Sequence, residues 1–154
     1  MHETTAEAST RIDATPNQVW QVLTNASEWR TFFMGVHLET DWKVGSPVRM
    51  TGEFKGKSFE DKGEILAIEP AKCLSFSHFS GVSGQPDAPE NYHVVTFELA
   101  PSDAGTEVVL TQSNLKGGVT DADEKHRAEY EKNWQTVLKG LGDAAEKFAH
   151  GTNA

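Results

Sequence analysis

Residues 129–148 read EYEKNWQTVLKGLGDAAEKF, and within them Tyr130, Trp134, Val137, Leu138, Leu141, Ala145 and Phe148 recur at steps of three and four. That spacing draws one apolar stripe along a helix, with charges filling the gaps. Asp121, Asp123 and Glu124 lie near the amino end of this segment, where the helix dipole favours acids. Gly140 and Gly142 interrupt it, each costing about 0.5–1 kcal/mol in a helix interior. They mark either close packing against a sheet or local flexibility beside a ligand mouth. A stripe this long needs an apolar surface to lie on, and the residues before it supply one.

Upstream of the helix the period changes to two. Residues 92–99 and 106–112 read as strands, joined through Pro101, Ser102, Asp103, Ala104 and Gly105 as a hairpin connection. Residues 80–90, rich in Gly, Pro, Ser and Asp, form the longest predicted loop. Before it come a strand carrying Leu74, Phe76, His78 and Phe79, and a longer one over 59–68 closed by Glu69 and Pro70. Residues 48–54 alternate as well, and Lys55, Gly56, Lys57 and Ser58 make a tight link to the next strand. Val36, Leu38, Thr40 and Trp42 alternate with polar residues, and Val44, Gly45, Ser46 and Pro47 read as a turn.

Towards the amino terminus, residues 27–33 predict a short helix with Ser27 as its cap and Trp29, Phe32 and Phe33 as a bulky anchor. Thr15 caps an earlier helix whose first position is Pro16, where the missing N–H costs nothing. Val19, Trp20, Val22 and Leu23 give that helix its apolar side, and polar alternation over 3–12 suits an edge strand. The order is therefore strand, helix, short helix, about six strands and long helix. Consecutive strands with short links make an antiparallel meander, and helices outside the run make segregated layers. The expected fold class is α+β: a curved six- to seven-stranded antiparallel sheet wrapped around a long C-terminal helix, with two short helices after the first strand. The chain, 1–154, reads as a single domain with its core at about 10–148.

Composition narrows the function classes. The 154 residues are 37% apolar and 24% charged, a balance foreign to disordered chains. No apolar run is long enough to span a membrane, and MHETTAEAS lacks the basic and apolar regions of a signal peptide. A lone cysteine, Cys73, forms no internal disulfide, so a cytoplasmic location is expected. Fourteen Lys and Arg against 23 Asp and Glu leave a net charge of -9, which repels a phosphate backbone and argues against nucleic acid.

The order of elements and several segments resemble a known superfamily. The segments are Ala14-Thr15-Pro16 with Val19-Trp20, Asp41-Trp42-Lys43-Val44-Gly45, and Lys62-Gly63-Glu64-Ile65-Leu66-Ala67-Ile68-Glu69-Pro70. Leu74-Ser75-Phe76 and Asn133-Trp134-Gln135-Thr136-Val137-Leu138 leading to Leu141 complete them. Together they resemble the START/Bet v 1-like helix-grip class, in the branch that holds the C-terminal domain of the activator of Hsp90 ATPase and many small bacterial relatives. The resemblance implies a cavity between sheet and long helix, used in relatives for sterols, lipids, polyketides or aromatic molecules. It also implies a link to stress response through the chaperone-binding relative. No family catalytic set is matched residue by residue.

Candidate site residues follow from strand parity. His78 shares a face with Leu74 and Phe76, His93 with Val95, Phe97 and Leu99, and Gln112 with Val108 and Leu110. If the apolar faces look inward, these three polar groups orient a carbonyl or phenol, and a histidine serves as acid or base near neutrality. A bulge reverses such parity. Glu64, sharing a face with Glu60, Leu66 and Ile68, is either a buried carboxylate with a raised pKa or an exposed partner of Lys62. Arg49 and Glu53 belong to an outer face if Val48, Met50 and Phe54 pack inside. Trp42, Tyr130 and Trp134 either line an aromatic pocket or are core. Phe32 and Phe33 either gate the mouth or anchor the short helix.

Metal and cofactor sites are not expected: His2, His37, His78, His93, His126 and His150 are scattered, and Lys116-Gly117-Gly118-Val119 lacks phosphate-loop spacing. Cys73 has no local histidine partner to activate it. The leading expectation is a non-enzymatic intracellular protein binding an apolar or aromatic small molecule in the sheet–helix cavity. A co-chaperone-like module for an Hsp90-type chaperone is the first alternative. A cyclase, dehydratase or hydrolase-like enzyme using His78, His93 and Glu64 is the second. Either a monomer or a homodimer through sheet edges or the Trp29-Phe32-Phe33 cluster fits these features.

Overall fold

The computed structural model describes residues 4–33, 35–81 and 84–151, with Phe54 described by its backbone alone. His2 and the Phe54 side chain, both named above, lie outside the described residues. β1 (Thr4–Ile12) leads into α1 (Pro16–Leu23). A reciprocal cap starts α1: the Gln18 N–H donates to the Thr15 hydroxyl at 3.2 Å, and the Thr15 N–H to the Gln18 side chain at 2.9 Å. A 3-10 turn (Ala26–Glu28) and α2 (Trp29–Phe32) follow. The turn is capped by Asn25 and not by Ser27, since the Asn25 side-chain oxygen accepts the Ser27 N–H and hydroxyl at 3.2 and 2.8 Å.

β2 (His37–Glu39), β3 (Pro47–Phe54), β4 (Lys57–Glu69), β5 (Cys73–His78), β6 (His93–Ser102) and β7 (Gly105–Asn114) precede α3 (Asp121–Ala149). β2 is shorter than the alternation over 36–43 predicts, because the backbone turns at Trp42 with φ 58°. Two hairpins are tighter than expected. Lys55-Gly56 and Asp103-Ala104 each place both central residues at positive φ, which is what a two-residue hairpin requires. At the second hairpin the Arg11 guanidinium donates to the Ser102 and Asp103 carbonyls at 3.2 and 2.7 Å.

The seven strands form one antiparallel sheet in the order β1-β7-β6-β5-β4-β3-β2. β1 is an edge strand, and α3 covers its open side. Arg127 donates to the Thr4 carbonyl at 2.7 Å and Gln135 to that of Ser9 at 3.3 Å, while Glu131 and Glu146 accept the N–H groups of Glu7 and Asp13 at 3.0 and 2.9 Å. These side chains occupy groups that a second sheet edge would otherwise pair with. The sheet's other edge is β2, which pairs with β3 over His37–Glu39.

Trp134, Val137, Leu138, Leu141 and Ala145 bury the α3 stripe against the sheet, whereas Phe148 at its end is 50% exposed. A Cβ on Gly140 would lie 3.0 Å from the Phe32 Cβ, and one on Gly142 3.4 Å from Ile12. Both glycines therefore sit at close contacts, Gly140 against α2 and Gly142 against β1. Trp29 fills the centre, 1% exposed, with its ring 4.7–6.3 Å from those of Phe32, Phe33, Trp42, Phe76 and Phe97. Its indole N–H donates to the Leu23 carbonyl at 2.8 Å. Where the resemblance implied a cavity, aromatic side chains close the interior. The void bounded by Trp29, Leu38, Trp42, Val48, Ile65 and Phe76 measures about 10 Å³, roughly one water probe.

Candidate functional site

The apolar inner face becomes polar around His78 on β5, His93 on β6 and Asn114 on β7, the last two meeting the amino-terminal half of α3 through Tyr130 and Asp123. His78 and His93 are direct cross-strand partners, and His93 is in turn the partner of Asn114. His78 Nε2 donates to Asp61 Oδ2 at 2.9 Å, and the second carboxylate oxygen of Asp61 accepts the Gly81 N–H at 2.9 Å. The two side chains are 20% and 14% exposed. The ring of His93 lies 6.1 Å edge-on from that of Tyr130, which is also 6.1 Å from His126.

Beneath this cluster the contacts are satisfied. Gln112, 3% exposed, accepts the Trp134 indole N–H at 2.8 Å and donates to the Thr5 hydroxyl at 2.7 Å. Asp123, 6% exposed, accepts from the Asn114 amide and the Thr120 N–H, both at 2.8 Å, closing the cap of α3. Burial pushes the Asp123 carboxyl up, but these hydrogen bonds outweigh it and leave the pKa below the usual value. Burial first, and then His78, hold His93 below the ordinary imidazole value, against a weaker pull from Asp123. Burial first, and then Asp123 and Glu129, push the Tyr130 phenol up. Near neutrality His93 and Tyr130 are both uncharged.

The free atoms of this cluster set it apart. Among the described residues, neither ring nitrogen of His93, nor the Tyr130 hydroxyl, nor His78 Nδ1 has a hydrogen-bond partner. No buried side-chain nitrogen or oxygen of the described residues is left without one, so these atoms open to solvent at the rim of an otherwise apolar face. Half-buried imidazole and phenol groups with unused valences can hold a polar group of a small molecule. Among the described residues no group of three His, Cys, Asp or Glu has metal-binding geometry.

The remaining candidates lie elsewhere. Glu64 and Glu60 are exposed on the face opposite Ile65, and a bulge between Ile65 and Ala67 breaks the parity that joined them to Ile68. Arg49 is outward, donating to Glu60 and Glu39 at 2.9 and 3.2 Å, with Val48 and Met50 buried on the other side. Trp42 and Trp134 do not share a pocket. Trp42 packs on Trp29, Trp29 on Phe33, and Phe33 on Trp134 at 5.7 Å. Phe32 and Phe33 are 4% and 2% exposed, so they anchor the core and do not stand at a mouth. Cys73 is half-buried, its thiol pushed up by burial and then by Glu98 and Glu69. Asp61 was not among the sequence candidates, although its alternation with Gly63 and Ile65 places it on the His78 side.

The profile described as Activator of Hsp90 ATPase homolog 1-like protein matches residues 13–146. The chain belongs to that family. Solved structures agree on the helix-grip fold. A protein from Cytophaga hutchinsonii known as ChR145 is 42% identical over 92% of this chain and 93% of its own, with a TM-score of 0.73. The Aha1 dimer from Colwellia psychrerythraea is 22% identical over 92% of this chain and 95% of its own, with a TM-score of 0.66. Ara h 8.0201 shares the fold at 14% identity, covering 90% of this chain and 95% of its own, with a TM-score of 0.65. No curated protein matches. Among the described residues no helix is long and apolar enough to cross a membrane.

Proposed function

We propose that this family member binds a small uncharged molecule, with a polar head and an apolar or aromatic body, at the open end of the sheet–helix sandwich. The polar head meets His93 and Tyr130, while the body lies towards Val119, which is 38% exposed in the loop entering α3. The observation that carries this reading is the set of free imidazole and phenol atoms at the rim of an apolar face. The packed aromatic interior argues for a ligand seated at the rim and against one swallowed whole. The flanking carboxylates of Asp61 and Asp123, with the net charge of -9, disfavour an anion. The test is an amide NMR titration against phenols, aromatic ketones, fatty acids and sterols. Saturable shifts at His93, Tyr130 and Gln112 from an uncharged aromatic class support the reading. Shifts confined to the outer sheet face, or none, overturn it.

A second reading is a protein-interaction module for an Hsp90-type chaperone. Family membership favours it, as does the likeness to the Colwellia Aha1 dimer. Titration with the middle region of a cognate Hsp90 tests it: saturable shifts on outer-surface residues support it, and silence at high concentration removes it.

A further inference from the structure

The atoms at this rim are arranged for proton transfer as well as for binding. Asp61 grips one nitrogen of His78, and its other oxygen is tied to the Gly81 backbone, so the carboxylate is held at both ends. A carboxylate accepting from Nε2 keeps the proton on that nitrogen and leaves Nδ1 as the basic atom. Nδ1 has no hydrogen-bond partner among the described residues and is open to solvent. The adjacent strand sets His93 directly across from His78, and Tyr130 overhangs His93 from α3. Base and donors therefore come from separate elements: His78 and His93 are cross-strand partners on β5 and β6, and the Tyr130 ring of α3 lies 6.1 Å from that of His93. An oriented imidazole base beside uncharged imidazole and phenol donors suits abstraction of a proton next to a carbonyl. Uncharged donors match the weak acidity of an enol and stabilise its oxygen as charge develops.

We propose that His78, positioned by Asp61, is a general base that enolises a neutral ketone whose oxygen is held by His93 and Tyr130. The inference rests on the binding reading above and adds a reaction to it. His78 Nδ1 takes a proton from the carbon beside the carbonyl. The C–H electron pair moves into the carbon–carbon bond as the carbonyl π pair moves onto oxygen, which accepts hydrogen bonds from the His93 N–H and the Tyr130 hydroxyl. The imidazolium then returns a proton to the same carbon or to a conjugated one. The outcome is exchange or isomerisation, and no oxidant, reductant or second substrate is consumed. His78 touches the reacting atoms. Asp61 acts through it and is a positioning residue.

The test uses 2-tetralone in deuterium oxide, with deuterium uptake at its C1 followed by proton NMR, and binding followed through amide shifts on a parallel sample in ordinary water. The expected result is uptake accelerated about 10²-fold or more over an equal concentration of free imidazole, and lost in His78→Gln. Asp61→Asn is expected to lower the rate at unchanged 2-tetralone affinity, since the carboxylate that orients the His78 ring is gone while the His93 and Tyr130 donors remain. Asp61→Glu restores most of the rate. If His78→Gln fails to fold, the Asp61 pair carries the comparison. Saturable shifts at His93 and Tyr130 without acceleration, or with acceleration indifferent to both His78 and Asp61 variants, overturn this inference and leave binding standing. Absence of both shifts and acceleration overturns the two together.

Discussion

Replacing Gln112 with leucine asks whether the floor of the site is dry. Gln112 joins three elements: its oxygen accepts from the Trp134 indole on α3, and its amide donates to Thr5 on β1. Leucine removes both contacts, but their losses are unequal. The Thr5 hydroxyl keeps a bond to the Gln112 backbone carbonyl at 3.3 Å, which survives the substitution. The Trp134 N–H has no second acceptor among the described residues, and its residue is 7% exposed. One orphaned donor costs about 1–3 kcal/mol. For a chain of this size that is a fall in Tm of about 2–4 °C per kcal/mol. Urea unfolding monitored by circular dichroism measures it, with an unchanged m-value showing that only stability has moved. Combining it with Trp134→Phe should lose less than the two single changes summed, because the second change removes the orphan. A Gln112→Leu protein as stable as the parent would refute the reasoning, since the indole N–H would then be reaching water.

Further predictions separate packing from chemistry. Gly142→Ala should stabilise by about 0.5–1 kcal/mol, because its Cβ meets Ile12 at an ordinary 3.4 Å. Gly140→Ala should give no such gain, since the Phe32 Cβ and backbone Cα lie only 3.0 and 3.1 Å away; denaturant midpoints for the pair decide this. At Trp42 the positive φ inverts the usual order of small residues. Trp42→Gly should be more stable than Trp42→Ala by about 0.5–1 kcal/mol, again by urea midpoint, and the reverse ranking would show that the turn rearranges. Because folding depresses the His93 pKa, its contribution to stability is whole above the ordinary imidazole value and declines as pH falls from 7 towards 5. His93→Gln should flatten the stability profile in that window. Asp123, with its lowered pKa, acts only below about pH 4.

Much of the architecture could be read one element at a time, since each pattern reports a local physical requirement. The three- and four-step recurrence at Trp134, Val137, Leu138 and Leu141 needs a helix, and alternation at Leu74, Phe76 and His78 needs a strand. Thr15 before Pro16 announces a helix start with no reference to the rest of the chain. Inward placement of His78, His93 and Gln112 was also legible, because two-residue parity holds wherever the ladder is regular. It broke in β4, where the extra residue between Ile65 and Ala67 separates Ile68 from the face of Glu64, which is exposed, the second of its two readings. No local signal in the sequence marks that bulge.

Other features depend on residues far apart in the chain. The link from Asp61 to His78 spans two strands. The service of the β1 edge by Arg127, Glu131, Gln135 and Glu146 spans more than a hundred residues. Whether the interior is a cavity or a packed core was a matter of volume. An aromatic anchor at Trp29 reads the same in sequence whether it lines a space or fills it. Its position against Phe33, Trp42, Phe76 and Phe97 fills it. Periodicity and capping are properties of neighbouring residues and so are written in their order. Close packing and the pairing of ionisable groups are properties of the assembled solid, and only the tertiary structure decided them.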